Sequence, residues 1–127
     1  LLMKLGFAAY EHLVDIKPIT ELRQIRARDG ALHIGGAVTH RELERSTLVR
    51  TGWPDFVEME RRVANVRVRS TGSLGGNLAF ADPHSDPATF LLAAGATSRA
   101  PSPGVATLAH GGRGRRVMIA VAQGTAP

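Results

Sequence analysis

Alternating apolar and polar residues predict a β-hairpin in the first third of the chain. Ile25 and Ala27 alternate with arginines before an Asp-Gly pair at 29–30, and Leu32 and Ile34 flank a histidine after it. An Asp-Gly pair between two such runs is a strong signal for a two-residue turn, because both residues tolerate positive φ. We therefore expect two antiparallel strands joined at this pair.

Two apolar runs lie outside the hairpin. The run EHLVDI, residues 11–16, predicts a buried strand that ends at Lys17 and Pro18. After Pro101 the periodicity is lost among Pro, Gly and Arg residues, with one late apolar run at 117–122. No secondary structure is assigned to this tail from the sequence.

Helix signals follow the hairpin in two places. Thr39 stands three residues before Glu42, the spacing at which a hydroxyl and a carboxylate cap the start of a helix. Pro54 opens a second segment, WPDFVEMERRVANV, with apolar residues at helical spacing. Its predicted apolar face comprises Phe56, Met59 and Val63, and its mostly polar face comprises Glu58, Glu60, Arg61 and Arg62.

A third helix is predicted by its end signals. Asp86 is placed at the cap, Pro87 at the first helical position, and Gly95 just past the end. Strands mixed with short helices, without a regular strand-helix alternation, predict an α+β fold with a mixed or antiparallel sheet.

Composition narrows the class of protein. The 127 residues suit one domain, and 43% hydrophobic residues with 21% charged residues are typical of a globular chain. Its apolar runs are far shorter than the roughly 20 residues of a membrane span. The absence of cysteine excludes disulfides and thiol catalysis, so a redox role would need a bound cofactor. The start lacks the pattern of a signal peptide, and we interpret Leu1 as a cut end.

Charge points to anionic partners. The net charge is +5, and nearly all basic residues are arginine, which favours bidentate recognition of anions such as phosphate. A module that binds nucleic acid or another polyanion stays open as an alternative, although aromatic residues are only 5% and no nucleic-acid-binding motif is visible. The arginines in question form either a solvated face or a patch for phosphates or an acidic partner: Arg61, Arg62, Arg67 and Arg69.

The stretch STGSLGGNLAFADPHSD, residues 70–86, carries the candidate chemistry. Adjacent glycines at 75 and 76 allow close approach of the backbone to a ligand, so GSLGGN is a plausible pyrophosphate-binding loop. It has neither the P-loop nor the Rossmann spacing, and a purely structural turn is the alternative. Asp82, His84 and Asp86 alternate, but no further ligand set accompanies them, so no metal site is predicted.

The longer string VRSTGSLGGNLAFADPHSDPATFLLAAGA, with EHLVDI and LHIGGAVTHRELERSTLVR before it, resembles the FAD-binding subunits of the molybdenum hydroxylases. This is the family of the carbon monoxide and xanthine dehydrogenases. The resemblance covers residues 1–97. The family's Thr-Ile-Gly-Gly-Asn motif corresponds to residues 73–77, and its Ala-Asp-Pro and Ser-Asp segments correspond to residues 81–83 and 85–86.

The resemblance implies a partial FAD-binding domain of the vanillyl-alcohol-oxidase-like (PCMH) type at residues 1–98, followed by a divergent tail at 99–127. It implies an oxidoreductase component that relays electrons from iron-sulfur clusters to FAD and an external acceptor. The implied partners are a large subunit with a molybdenum cofactor and a small 2Fe–2S subunit, in the cytoplasm. Nucleic acid is not an expected partner.

The resemblance also implies roles for individual residues. Ser73 and Asn77 would bond the FAD phosphates, Gly75 and Gly76 would offer backbone N–H groups, and Asp86 would hold a ribose hydroxyl. His40 falls in a segment near the flavin. The full implied cofactor-binding set is Thr39, Ser73, Leu74, Gly75, Gly76, Asn77 and Asp86.

One element of the family pattern is missing from the sequence. A first glycine loop, typically Ala-Gly-Gly-Thr-Asp, would stand immediately before Leu1. We therefore expect the chain on its own to bind FAD weakly or not at all, and to be inactive alone.

Overall fold

The computed structural model describes residue 3, residues 5–99 and residues 116–120. Within these ranges the chain forms a four-stranded mixed sheet, six short α-helices and one 3₁₀ turn at Thr20–Arg23. The strands are β1 (Ile25–Arg28), β2 (Ala31–Gly35), β3 (Thr97–Arg99) and β4 (Arg116–Ala120), in the spatial order β1-β2-β4-β3. The helices are α1 (His40–Arg45), α2 (Thr47–Gly52), α3 (Pro54–Arg62), α4 (Val66–Thr71), α5 (Leu74–Phe80) and α6 (Asp86–Ala93). The α+β class with a mixed sheet is thus confirmed.

The hairpin forms as the sequence predicts. β1 and β2 are antiparallel, with Ile25 opposite Ile34 and Ala27 opposite Leu32. The turn residues have positive φ, 51° at position 29 and 71° at position 30. The Asp-Gly pair therefore fixes the register that directs the apolar side of β2 into the core.

The core lies where β2 meets the helices. Leu32 and Ile34 of the sheet are fully buried with Phe56 of α3 and Leu91 of α6. The Phe56 and Phe90 rings stack with their centroids 5.4 Å apart, which joins α3 to α6. This packing makes α3 the central helix, because α1, α2 and α6 all contact it.

The predicted strand at residues 11–16 is wrong. The segment has no regular secondary structure, and Leu13 and Val14 are 72% and 84% exposed. A strand is stabilised by backbone hydrogen bonds to a neighbouring strand, and none of the described strands pairs with this segment. The apolar residues Leu13 and Val14 are therefore not buried in this structure.

The glycine stretch is a helix start and not an irregular loop. Ser73 caps α5, and Gly75 and Gly76 lie in the first turn of that helix. Helices α2 and α4, capped by Ser46 and Asn65, were not predicted either. Each of these helices has six or seven residues, too few for an apolar repeat to be recognised, and local capping defines them instead.

The capping residue of α6 lies one position earlier than the sequence predicts. Ser85 is the cap residue, and its hydroxyl accepts a hydrogen bond from the Ala88 N–H at 3.4 Å. Asp86 is the first helical residue and Pro87 the second, so Asp86 is not the cap. The predicted end is confirmed, since Gly95 follows the helix with φ of 66°.

Strand β4 lies in the tail to which the sequence assigned no structure. It runs parallel to both neighbours, with Ile34 of β2 opposite Ile119 and Thr97 of β3 opposite Met118. The other residues beyond 99 lie outside the described part of the chain. The domain boundary at residue 98 stays a prediction.

Two glycine-containing segments, residues 36–40 and 72–75, run side by side, and we call their contact the loop junction. An isolated antiparallel bridge pairs Thr39 with Ser73. Three backbone hydrogen bonds cross the junction: His40 N–H to Gly72 O (3.1 Å), Leu74 N–H to Val38 O (2.9 Å) and Gly75 N–H to Gly36 O (3.0 Å). The junction fixes the start of α5 against the end of the hairpin.

The backbones are closest between Gly75 and Gly36. A Cβ atom on Gly75 would lie 2.5 Å from the carbonyl oxygen of Gly36, whereas a Cβ on Gly76 would meet only the Ser73 hydroxyl oxygen, at 3.0 Å. Glycine at position 75 is therefore required by packing, and glycine at position 76 is not.

We predict opposite outcomes for alanine at the two adjacent glycines. Gly75→Ala should lower the free energy of unfolding by about 1–3 kcal/mol, because the new methyl group meets rigid backbone. Gly76→Ala should stay within about 1 kcal/mol of wild type, because alanine favours a helix and a small shift of the Ser73 side chain relieves the contact. Urea denaturation of both variants measures this, and equal effects would contradict the packing argument.

Candidate functional site

The first turn of α5 is the centre of the candidate site. Ser73 Oγ accepts a hydrogen bond from the Gly76 N–H at 3.1 Å, and the Ser73 carbonyl accepts one from the Asn77 N–H at 2.9 Å. The N–H groups of Leu74 and Gly75 are used in the loop junction. All four N–H groups of the first turn therefore have partners in the protein, and the Gly75 N–H is not offered to a ligand in this geometry.

Asn77 is held in a defined orientation by a residue of the next helix. The Ser85 hydroxyl donates to Asn77 Oδ1 at 2.5 Å, and Ser85 itself is buried. The Asn77 carbonyl oxygen is thereby occupied, and its amide NH₂ group remains as a donor. Ser85 was matched to the family motif in the sequence, but its role in orienting Asn77 was not predicted.

The exposed side of this turn suits a phosphate group. The Ser73 hydroxyl can donate its proton, the Asn77 amide supplies two N–H donors, and Gly76 is exposed without a side chain. Phosphate oxygens are strong acceptors that require donors and close approach. The residues at this turn therefore fit the pyrophosphate of FAD.

Leu74 and Thr39 are already engaged within the fold. The Leu74 side chain is fully buried in the core. The Thr39 hydroxyl accepts from the Glu42 N–H at 3.2 Å and donates to Glu42 Oε2 at 2.9 Å, so it completes the predicted capping box of α1. Partial burial tends to raise the pKa of Glu42, but hydrogen bonds from Thr39 and Arg23 outweigh it and lower the pKa.

Asp86 is exposed at the start of α6, and its carboxylate makes no hydrogen bond or ion pair with the described residues. It lines a surface groove with Thr89 and with Asp55 and Glu58 of α3. It is adjacent to Ser85, whose hydroxyl bonds Asn77 of α5. Its carboxylate is free to accept hydrogen bonds from a ligand.

A buried hydrogen-bonded pair, His40 and Glu60, adjoins the loop junction. His40 Nδ1 is 2.7 Å from Glu60 Oε2, and the two residues are 2% and 0% exposed. Burial raises the pKa of Glu60, and the hydrogen bond with His40 opposes that shift only in part. The His40 ring is thus directed at α3 and not at the exposed turn.

The prediction that Glu60 lies on the polar face of α3 is wrong. Glu60 follows the buried Phe56 by four residues and the buried Val57 by three, which places it on the core side of the helix. This spacing was the signal available in the sequence. Glutamate is rarely fully buried, which is why Glu60 was expected on the polar face despite this spacing.

The four arginines do not share one environment. Arg61, Arg62 and Arg67 are exposed, and the first two pair with Glu58 of their own helix. Arg69 points inward, with Nε 3.0 Å from Glu44 Oε2 and Nη1 2.9 Å from the Val63 carbonyl oxygen. Arg69 is therefore a structural residue and not part of a solvated basic surface.

The alternating residues after α5 form a local turn. Asp82 Oδ1 accepts a hydrogen bond from the His84 N–H at 2.9 Å and lies 3.2 Å from the His84 ring. Within the described ranges, no three His, Asp or Glu side chains converge on one point. In the same ranges, no helix is long and apolar enough to cross a bilayer.

Comparison with known proteins identifies the class to which this fold and site belong. A family model described as the FAD binding domain in molybdopterin dehydrogenase matches residues 1–107. The chain therefore belongs to this family. The sequence-based resemblance and the expectation of FAD as the cofactor are both confirmed.

Individual relatives agree with the family match. The chain is 36% identical over 92 residues to the carbon monoxide dehydrogenase medium chain of Hydrogenophaga pseudoflava, covering 72% of this chain and 32% of the relative. It is 34% identical over 85 residues to caffeine dehydrogenase subunit beta of Pseudomonas sp. (strain CBB1), covering 67% of this chain and 29% of the relative. The solved carbon monoxide dehydrogenase of Hydrogenophaga pseudoflava that lacks the Mo-pyranopterin moiety matches with a TM-score of 0.70 at 36% identity. That match covers 73% of this chain and 32% of the solved chain. This chain therefore spans about a third of the length of these relatives.

We predict that the buried carboxyl of Glu60 makes stability depend on pH. Its pKa is raised in the folded state, so its full contribution to stability is present below the unfolded pKa and is lost as pH rises through the folded pKa. The free energy of unfolding of wild type relative to Glu60→Gln should therefore fall as pH rises above the ordinary titration range of a carboxyl group. Urea titrations of both proteins measure this difference. A constant or rising difference would contradict the raised pKa.

Proposed function

We propose that the first turn of α5 binds the pyrophosphate of FAD, and that the chain is part of the FAD-binding component of a molybdenum-hydroxylase-type dehydrogenase. The observation that carries this proposal is the exposed Gly76 between the Ser73 hydroxyl and the oriented Asn77 amide. The same three residues match the family motif, in a chain that belongs to an FAD-binding family.

The proposed roles follow from the hydrogen-bond donors and the space that each residue leaves free for a ligand. The Ser73 hydroxyl and the Asn77 NH₂ group donate to phosphate oxygens, and Gly76 allows the close approach. The Gly76 N–H can exchange its bond to Ser73 Oγ for one to a phosphate oxygen. Gly75 fixes the turn through its contact with Gly36.

The other implied residues act at the edge of the site. Asp86 accepts hydrogen bonds from the ribose hydroxyls through its unpaired carboxylate. Thr39 and Leu74 hold the turn in place, through the bridge to Ser73 and through the core. His40 belongs to the same supporting group, since its ring is buried.

When bound, FAD supplies two-electron redox chemistry that the amino acids cannot supply. The chain's part is to bind and orient the cofactor. Relatives are named as medium chains and FAD-binding subunits of dehydrogenases. By analogy, we propose electron transfer from iron-sulfur clusters of a small 2Fe–2S subunit to an external acceptor, in a complex with a large molybdenum subunit. A cytoplasmic location stays a prediction.

Adding the family's first glycine loop should restore FAD binding. The chain extended upstream by the segment that precedes the match in the Hydrogenophaga medium chain should purify yellow, and the unextended chain should bind FAD weakly or not at all. Absorbance spectra and FAD titration of both proteins measure this. Stoichiometric FAD in the unextended chain would show that the loop is not needed, and a colourless extended protein that retains DNA at low salt would favour the polyanion alternative.

The exposed glycine should control affinity for FAD. In the extended chain, Gly76→Val should abolish FAD binding, because a branched side chain occupies the surface where the phosphate approaches. Gly76→Ala is the matched control, with a smaller loss. Thermal melts should show both variants folded. Unchanged affinity in Gly76→Val would return the turn to a purely structural role.

Asp86 should affect ligand binding and not stability. Because Ser85 and not Asp86 is the cap, Asp86→Ala and Asp86→Asn should both remain within about 0.5 kcal/mol of wild type in stability. Both should weaken FAD binding in the extended chain, since each loses the charge that accepts hydrogen bonds from ribose. Calorimetric titration with FAD checks this, and wild-type affinity in Asp86→Asn would remove Asp86 from the site.

A further inference from the structure

The buried His40–Glu60 pair contacts the proposed FAD site through Gly72. The His40 N–H donates to the Gly72 carbonyl oxygen at 3.1 Å. A Cβ on Gly72 would lie 3.5 Å from His40 Cδ2 and 3.1 Å from the Val68 carbonyl oxygen, so the imidazole packs directly against this glycine. Gly72 immediately precedes Ser73. One histidine thus contacts the residue before the proposed phosphate ligand through both its backbone and its ring.

Glu60 in turn holds the His40 ring. The 2.7 Å separation of Nδ1 and Oε2 requires a proton between the two atoms. Glu60 lies on α3, the central helix of the core, and its side chain is completely buried. The pair therefore connects the segment before the Ser73 turn to α3, the helix that α1, α2 and α6 all contact.

Stability alone does not explain a carboxyl at this position. Glu60 Oε1 is buried and has no hydrogen-bond partner. The neighbouring cation, Arg69 of α4, is bound to Glu44 of α1 and to the Val63 carbonyl, so His40 is the hydrogen-bond partner of Glu60 among the described residues. A buried carboxyl with one oxygen unpaired is unfavourable compared with an apolar side chain of similar volume.

We propose that His40 and Glu60 are positioning residues, which fix Gly72 and the Ser73 cap in the geometry that receives the FAD pyrophosphate. The ligand part of this inference rests on the proposed function, and the structural part does not. The pair makes no contact with the cofactor. The pair controls the fraction of molecules in which the hydrogen bonds of the loop junction are formed. Rotation of the His40 ring would remove the surface against which Gly72 packs.

The test compares two replacements of Glu60 in the chain as it stands. Glu60→Leu removes the hydrogen bond to His40 at similar volume, and Glu60→Gln is the matched control that keeps a hydrogen-bonding group there. Amide hydrogen exchange is measured for the junction donors and, as an internal reference, for the β1–β2 hairpin. The junction donors are the N–H groups of His40, Leu74 and Gly75.

We expect junction amides in Glu60→Leu to exchange about tenfold faster relative to hairpin amides, the effect of losing one hydrogen bond to an ionisable group. Glu60→Gln should stay near wild type. Equal junction exchange in all three proteins, or equal loss in both variants, would overturn the proposal. If Glu60→Leu does not fold, His40→Leu takes its place. Complete unfolding of both would show that the pair supports the whole fold, which also overturns it.

FAD titration of the same variants, made in the extended chain, separates the two proposals. Glu60→Leu should weaken FAD binding about tenfold, and Glu60→Gln should stay near wild type. FAD binding unaffected by Glu60→Leu, with faster junction exchange, would refute positioning for the ligand. No FAD binding by wild type or by the extended chain would count against the proposed function, while the exchange result would still decide whether the pair fixes the junction.

Discussion

The close approach of two backbone segments is the constraint on which the rest of this structure depends. Gly36 and Gly75 meet with their main chains in hydrogen-bond contact at 3.0 Å, with no space for a Cβ atom on the latter. This contact forces α5 to begin at the end of the hairpin. It also consumes the N–H groups of the first two residues of α5, so the chemistry of the turn passes to Ser73, Gly76 and Asn77.

Glycine is therefore found at the two adjacent positions of the family motif for different physical reasons. Gly75 is needed because backbone lies against it, whereas Gly76 is exposed and a Cβ there would meet only the Ser73 side chain. An exposed glycine that packing does not require is explained by a ligand that approaches closely. The buried Ser85 orients the Asn77 amide beside it, which gives the turn fixed donors instead of mobile ones.

Local signals in the sequence predicted what local interactions determine. The Asp-Gly turn set the hairpin, and the Thr39–Glu42 pair set the start of α1, since in both cases the stabilising contacts join residues that are close in the sequence. The motif also located the candidate site by family resemblance. Tertiary contacts could not be predicted in this way. The glycine stretch becomes helical because of its cap and the junction, Glu60 is buried because of its partner on α1, and residues 11–16 stay irregular because no described strand pairs with them.

Residue-resolved titration of the ¹⁵N-labelled extended chain with ADP, compared with riboflavin, tests the central claim most directly. ADP carries the pyrophosphate without the flavin, and riboflavin carries the flavin without phosphate. The account predicts that ADP shifts the Gly76 backbone resonance and the Asn77 side-chain NH₂ resonances, with little effect at Gly75, and that riboflavin leaves all three unchanged. Shifts confined to the exposed arginines at 61 and 62, or riboflavin shifts at Gly76 without ADP shifts, would contradict it.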